Sequence, residues 1–442
     1  MFKTFLNALN IKEIRRKLGF TLLMVLIVRI GSQIPSPGIN TAYLEAWWQN
    51  QTNSAFNFFS SITGTSLTQM SIFALGISPY ITSSIIIELL TIAIPRLEEL
   101  RREGEDGRKK ITQITRALTV GLALLQSVSM AIGFGSNYIT NYTWYNVIAI
   151  AVIMTAGSTV LMWIGEQITQ KGIGNGISII LLVNIIDQLP NDLVTLFTTF
   201  CANKPIALMV IIAVFICALL FALIYYTVKL QGGERRIPVQ YAKKIQGRKM
   251  VGGQSSNIPI KVNTAGVIPV IFAASLMSIP SIIAAFAGIN TTNPTGIGGK
   301  IIKGLSQSSW CNPKEPIYTI GLLVYIVLLV FFAYFYTSIT FNPIEIADNM
   351  KKQGGFIPGI RPGKPTSDYM NGVLNYIIFI GAIGLLIIAV IPIILTGLTG
   401  VGNSLSFLGT SLIIIVGVIL ETIKQVESMM TVRYYKGFLS ED

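Results

Sequence analysis

Five ionisable residues sit inside or at the ends of long apolar stretches: Arg29, Glu88, Glu166, Asp187 and Glu421. At membrane depth such groups serve ion pathways, proton relays or buried pairs, because an isolated charge is costly there. Most lie within snorkelling reach of an interface, so coupled proton or ion transport is the weaker reading. The depth of Glu88 is open, and a hydrocarbon-buried carboxylate is neutral or paired. Histidine is absent, which removes His-based triads, His-ligated haem, HExxH zinc sites and histidine relays together. The glycine-rich run GIGNGI at 172–177 has no GKS or GKT and no βαβ setting, so it is a poor phosphate loop. Its Gly172, Gly174 and Gly176 instead permit close approach of backbones. No paired carboxylates stand at a convincing catalytic spacing and no Walker motif occurs. The chain reads as a non-enzyme with no cofactor and no metal.

The elements that must hold these residues are apolar helices. Of the 442 residues, 52% are hydrophobic and 12% are charged, where a soluble domain carries about 25% charged residues. Disorder needs the opposite composition, and Cys201, Cys217 and Cys311 are too few for a disulfide scaffold. A hydrocarbon core of roughly 30 Å takes about 20 apolar residues as helix. Ten stretches qualify: 19–35, 71–95, 117–134, 146–165, 176–189, 206–228, 264–287, 317–338, 374–397 and 406–422. The weakest are 176–189, which meets Asp187 and Pro190 early, and 406–422. The expected fold is an all-α polytopic membrane protein with ten transmembrane helices. With ten spans, the segments 1–18, 96–116, 166–175, 229–262, 339–373 and 423–442 share one face and hold 28 of the 33 Lys and Arg. The other face has only Lys204, Lys300, Lys303 and Lys314. That asymmetry puts both termini in the cytoplasm. It also accounts for the net charge of +13 without nucleic acid. Cys201 and Cys311 fall in different loops of the outer face and establish no disulfide. No small-residue cleavage motif follows the first apolar stretch, so that stretch reads as retained.

Three irregular segments stand out. The connection 229–262 carries Arg235, Arg236, Lys243, Lys244, Arg248 and Lys249 between the alternating runs RIPVQYA and NIPIKVN. Two short strands with a basic tip, between Gly232–Gly233 and Gly252–Gly253, are expected. The tip reads as a docking arm for a cytoplasmic partner or as a solvated positive loop. In 339–373, the run GGFIPGIRPGKP cannot be helix; its glycines turn the backbone and its prolines stiffen it, presenting Arg361 on a constrained turn. A fixed guanidinium fork suits carboxylate or carbonyl recognition. Residues 53–70, with Phe56, Phe58, Phe59 and Ile62 among small and hydroxyl residues, carry no charge. They are too polar to span lipid and too apolar for an outside loop. A short helix folding back into a protein-lined cavity reconciles both facts; an amphipathic surface helix is the alternative.

Long stretches of the chain resemble a known family. SIFALGISPYITSSIIIELL (71–90) and MWIGEQITQKGIGNGISII (162–180) are similar to two signature stretches of the SecY family, the channel-forming subunits of the bacterial protein translocase. RRIPVQYAKK (235–244), KVNTAGVIPVIFAAS (261–275) and FNPIEIADNMKKQGGFIPGIRPGKPT (341–366) resemble it too, and the likeness runs over essentially the whole chain. Glu88 departs from it, since glutamine is usual there. The resemblance implies two inverted, pseudo-symmetric halves, 1–190 and 206–442, joined by an external hinge loop at 191–205 and enclosing an hourglass pore. It places a hydrophobic pore ring at Ile77, Ile81, Ile177, Leu181, Ile271 and Ile414, with a plug helix at about 54–66. It implies a lateral gate opening to lipid, between spans two and three on one half and seven and eight on the other, with Thr82 and Gln126 along it. It assigns partner docking to Arg235, Arg236, Lys243, Lys244, Arg248, Lys249 and Arg361. The partners implied are SecE-like and SecG-like small membrane subunits, a SecA-like motor ATPase, the ribosome, signal sequences, unfolded preproteins and membrane lipids. The membrane implied is the bacterial plasma membrane. A secondary transporter of a small solute shares the span count and irregular helices, but it needs a compact polar site where apolar residues are expected. A membrane-embedded enzyme and an insertase without a through pore are further alternatives.

Overall fold

The computed structural model describes residues 10–40, 63–134, 139, 142–201, 205–241, 244–246, 249–251, 255–286, 296–306, 309–311, 315–399 and 404–438. The expected plug residues Phe56, Phe58, Phe59 and Ile62, and the docking residues Lys243 and Arg248, lie outside them. A helix lies in each of the ten apolar stretches. In chain order the helices are α1 (Lys12–Ser32), α2 (Thr65–Thr68), α3 (Ser78–Ala93), α4 (Pro95–Arg102), α5 (Glu105–Phe134), α6 (Trp144–Lys171), α7 (Gly176–Cys201) and α8 (Ile206–Gly232). After the strands β1 (Glu234–Tyr241), β2 (Lys244–Gln246), β3 (Lys249–Val251) and β4 (Ser255–Lys261) come α9 (Ile268–Phe286), α10 (Ile297–Leu305), α11 (Ile320–Thr340), α12 (Pro343–Lys352), β5 (Gly355–Phe356), α13 (Lys364–Thr399) and α14 (Ser404–Phe438).

Among the described residues, seven helices are each long and apolar enough to cross a membrane; α3 and α4, bent by 105° at their junction, bring the number to eight if the pair is one span. The bend has a local cause. Pro95 disfavours helical geometry at Ile94, which is extended at φ −111°, ψ 111°. α1 opens with the charged run KEIRRK, and α9 contributes a shorter apolar run, Ile268–Met277. α8 faces outward along nearly its whole length, whereas α6 and α13 are more than half buried. Ile211, Phe221, Phe331 and Tyr376 are all exposed. An apolar exterior of this extent needs lipid around it, so the protein is a multi-pass membrane protein.

The sequence reading ended the fifth span near Pro190 and put a connection at 191–205. The helix instead runs through Pro190 to Cys201. Its extension is anchored by Leu196, which is buried with Ile216 of α8 against Phe200, Ile212 and Leu395. That packing offsets the hydrogen bond lost at proline.

Three apolar clusters hold the helices together. One joins α8, α9, α11, α13 and α14 around Tyr325, Leu329 and Ile388. A second joins α2, α5 and α6 around Met70, Ala123 and Met154. The third, around Ile77, Ile164, Ile180 and Ile414, ties α1, α6 and α7 to α14. On the face opposite the start of α1, Trp310 is fully buried, and its Nε1 donates to the Gly304 carbonyl at 2.7 Å.

The turn between α6 and α7 explains the GIGNGI run. A Cβ on Gly176 would overlap the Gly165 carbonyl and the Ile168 side chain, so α7 starts against α6 only because that position is glycine. The Asn175 side chain caps α7 by accepting from the Ile177 N–H at 3.1 Å. Gly176→Val should cost about 1–3 kcal/mol by overpacking. The check is thermal unfolding of the purified chain followed by size-exclusion chromatography in detergent, with Gly19→Ala, where a Cβ meets open space, as the control.

Candidate pore site

The six residues expected at the constriction come from α3, α7, α9 and α14. Ile77 precedes α3 and is 1% exposed; with Ile414 it belongs to one buried cluster, against which Ile81, Ile177 and Ile271 pack. Leu181 lies in the adjoining cluster, which Ile81 also touches. The structure therefore brings all six into two contiguous apolar clusters. Above them opens a cavity of about 510 Å³ whose walls include Ile81, Ile177, Leu181, Ile271 and Ile414. Its upper walls are polar: Glu88, Gln231, Lys261, Asn263, Glu421 and Lys424. Buried Leu181 and Ile414 and half-buried Ile81, Ile177 and Ile271 face this cavity and form an apolar floor beneath a charged vestibule.

The vestibule opens on the face where α1 begins and α14 ends. There Ile14 of α1, Ile173 of the turn and Val426 of α14 share a cluster. The Gly174 N–H donates to Gln425 Oε1 at 2.5 Å, and the Ile173 N–H donates to Thr21 Oγ1 at 3.1 Å.

The charged residues within the apolar stretches are largely spent on local pairs. Arg116 of α5 holds Glu166 of α6 through two contacts, Nε to Oε1 and Nη2 to Oε2, each 2.7 Å. Arg29 of α1 pairs with Asp187 of α7, which also accepts from Thr65. Glu88 and Glu421 line the vestibule instead, with Tyr336 of α11 in the same wall. Thr82 is half-buried, and its hydroxyl donates to the Ser78 carbonyl one turn back at 3.0 Å. Gln126 is half-buried on α5, whose helix packs on α3 and touches α9.

The basic loops converge in a way the sequence did not disclose. β1 pairs antiparallel with β4, Ile237 opposite Ile258, and also with β5, Gln240 opposite Phe356. The order β4-β1-β5 joins the connection 229–262 to the connection 339–373 in one sheet. Alternation along β1 turns Ile237 and Val239 inward, onto Met350, Ile357, Met370 and Leu374, and Arg236 outward; Arg235 shares the face of Ile237 but stands near the start of the strand and is exposed too. The expected pair of strands is thus a four-strand excursion. β4 lies beyond Gly252–Gly253, and the separate hairpin β2–β3 carries Lys244 and Lys249 in its backbone. Arg361 is exposed on a turn bounded by Gly359 and Gly363, with φ +83° and +105°. Thr366 Oγ1 donates to its carbonyl at 2.8 Å, so its backbone is pinned as expected. The signal that could have revealed the shared sheet is the short extended pair Gly355–Phe356, which is too brief to read as a strand.

A large polytopic helical assembly with an apolar floor under a polar vestibule, flanked by a basic platform, defines a membrane channel-type protein. The family model for SecY matches residues 71–423. The protein translocase subunit SecY of Streptomyces galbus is 42% identical, covering 99% of this chain and 100% of that protein. The chain belongs to the SecY family. Among solved structures, one described as a protein conducting channel superposes with a TM-score of 0.61 at 20% identity, over 94% of this chain and 92% of that one. Sec61 in the canine ribosome-channel complex from the endoplasmic reticulum superposes with a TM-score of 0.59 at 18% identity, over 94% and 92%.

The platform is tied to α14 by Lys424 Nζ, which donates to Glu234 Oε1 at 2.7 Å. That hydrogen bond holds the Glu234 carboxyl below the usual 4.5 against a small desolvation cost, and the charges of Lys424, Arg236 and Lys261 add to the pull. Because the folded value is depressed, the contribution is fully present above the ordinary value and is lost as pH falls through the folded one. For a partly exposed pair it should amount to no more than about 1 kcal/mol. Unfolding midpoints of wild type and Glu234→Gln should differ near neutrality and merge under acid. A difference that persists at low pH would show that the side chain acts by packing.

Proposed function

We propose that the chain is a protein-conducting channel that passes unfolded polypeptides across the membrane and releases apolar segments sideways into lipid. The observation that carries this reading is the apolar floor, built from four helices of both parts of the chain, at the foot of a polar vestibule. A ring of branched aliphatic side chains excludes water and gates by dewetting. It has no charge and no directed donor, so it has no sequence preference for a passing chain. Its side chains reorient around small and large residues alike. On this reading Ile77, Ile81, Ile177, Leu181, Ile271 and Ile414 form the constriction, and the segment 54–66 closes it from the outer side as a plug.

The finer architecture belongs to the same proposal. The helices over the ten apolar stretches act as ten spans in two inverted halves, 1–190 and 206–442, which move about the region after the fifth span. The lateral gate runs along α3 and α5 on one side and α9 and α11 on the other, with Thr82 and Gln126 near the seam. A segment at this seam partitions by transfer free energy, at roughly 0.8 kcal/mol for each buried methylene. Thr82, already bonded to its own helix, adds little adhesion across the seam and keeps closure shallow.

The chain acts as a channel and not as an enzyme, so the work comes from a partner. The basic platform, with Arg235, Arg236, Lys243, Lys244, Arg248, Lys249 and Arg361, is the surface for a SecA-like motor or a ribosome. The likeness to Sec61 in a canine ribosome-channel complex supports the ribosome as one such partner. SecE-like and SecG-like subunits complete the assembly in a bacterial plasma membrane, with both termini cytoplasmic as the Lys and Arg asymmetry requires.

The test is ATP-dependent transfer of an unfolded secretory precursor into proteoliposomes holding this chain, its small partners and the motor ATPase. Protease protection of the precursor should require both ATP and this chain. No protection by a folded, motor-bound complex would favour an insertase or a small-solute transporter. Arg361→Glu should cut motor-driven transfer by on the order of tenfold or more, the scale of losing a charged interface anchor. The amount of folded channel in the membrane should stay unchanged; a parallel loss of both would make Arg361 a structural residue.

A further inference from the structure

Two carboxylates stand in the vestibule, each the same distance along its helix from the apolar floor. On α3 the cavity is lined by Ile81, Ile85 and Glu88, which share one helix face at spacings of four and three. On α14 it is lined by Ile414, Val418 and Glu421, at the same two spacings. Each carboxylate is therefore two helical turns, about 10 Å of rise, from a floor residue. Tyr336 of α11 lines the cavity with them and lies within electrostatic range of both. Glu88 is half-buried and Glu421 is exposed. Other charges around the pore are spent on partners: Arg29 on Asp187, Arg116 on Glu166 and Lys424 on Glu234. Among the described residues, Glu88 and Glu421 have no ion pair and no side-chain hydrogen bond. The exposed Arg101 of α4 acts on Glu88 only from beyond ion-pair distance.

We infer that Glu88 is a specificity-determining residue of the channel: with Glu421 it holds a cationic side chain, a lysine ammonium or an arginine guanidinium, carried two helical turns from the apolar core of an entering segment on its vestibule side. The inference rests on the channel reading above, under which α3 and α11 flank the lateral seam and Glu88 and Tyr336 stand at its mouth. An apolar floor cannot sort chains by charge, whereas the carboxylates above it can. A half-buried carboxylate beside apolar walls attracts a cation more strongly than one in bulk water does. The apolar stem of a lysine or arginine lies along Ile81 and Ile85 while its head reaches the carboxylate. Lys424 does not compete for the place, because its ammonium is bonded to Glu234 at 2.7 Å. Glutamine at position 88 would keep a hydrogen-bonding group and lose the charge, so the preference belongs to this carboxylate.

The test is ATP-dependent transfer into proteoliposomes holding this chain, its small partners and the motor ATPase. The precursors differ at one residue, about seven positions from the centre of the apolar segment on its vestibule side, which is Lys, Gln or Glu. A fourth precursor carries the Lys one span of two turns farther out. The readout is the ratio of half-saturating concentrations within one variant, so a general loss of activity cancels. The Lys precursor should saturate at a concentration about threefold to fivefold lower than the Gln precursor, the scale of a partly exposed ion pair. The distant Lys should lose most of that advantage. Glu88→Gln should bring the ratio to one, Glu88→Asp should keep it, and Glu88→Lys should turn the preference to the Glu precursor. In the wild-type complex, a stalled Lys precursor treated with a water-soluble carbodiimide should yield an amide between its lysine and Glu88 or Glu421, read by mass spectrometry. A wild-type ratio in Glu88→Gln, or amides at other carboxylates and none at these two, would overturn the inference and leave the channel reading standing. No transfer of any precursor by the folded, motor-bound wild-type complex would overturn both.

Discussion

Every polar group placed in hydrocarbon must find its partner inside the protein, since water is not there to supply one. The structure is organised around that requirement. Along the spans, threonine hydroxyls turn back on their own helices: Thr91 donates to the Ile87 carbonyl at 2.7 Å, Thr227 to Leu223 at 2.7 Å, Thr337 to Ala333 at 2.8 Å and Thr396 to Pro392 at 2.8 Å. Charges are handled pairwise, Arg29 with Asp187 and Arg116 with Glu166. Glu88 and Glu421 instead face the vestibule, where water can reach them. The same rule sets a cavity with polar walls beside an apolar cluster.

The apolar cluster around Ile77 and Ile414 in turn depends on close helix approach. Glycine at 176 sets α7 against α6, and Gly157 of α6 lies against the Ile72 carbonyl. Those contacts bring Ile77 and Ile177 to the same level, where Ile414 of α14 joins them. The contact between these helices is apolar packing, which parts without leaving a stranded polar group.

The basic platform is a different kind of object. Its sheet is completed by strands from two connections more than a hundred residues apart, β1 with β4 and β1 with β5. Beneath it lies a core of its own, with Ile237, Val239, Ile260 and Met370 buried. Lys424 bonded to Glu234 couples that core to α14, and α14 contributes Ile414 to the constriction. The platform and the apolar cluster around Ile77 thus share one helix, α14.

The sequence by itself determined which segments are helical and which face is basic, because apolar runs of span length and loop charges are local properties. It also determined that 357–363 is irregular, since glycine and proline restrict the backbone whatever surrounds them, although the last two residues of the run it marked, Lys364 and Pro365, open α13. The family resemblance singled out Ile77, Ile81, Ile177, Leu181, Ile271 and Ile414, and packing of four helices puts them in two adjoining apolar clusters. Tertiary structure alone decided where α7 ends: Pro190 is a local stop signal, and packing of Leu196 on α8 overrides it. It alone paired Arg29 with Asp187, because charge partners 158 positions apart share no local signal. It alone joined the two basic connections into one sheet, since a two-residue strand exists only once another strand supplies its hydrogen bonds.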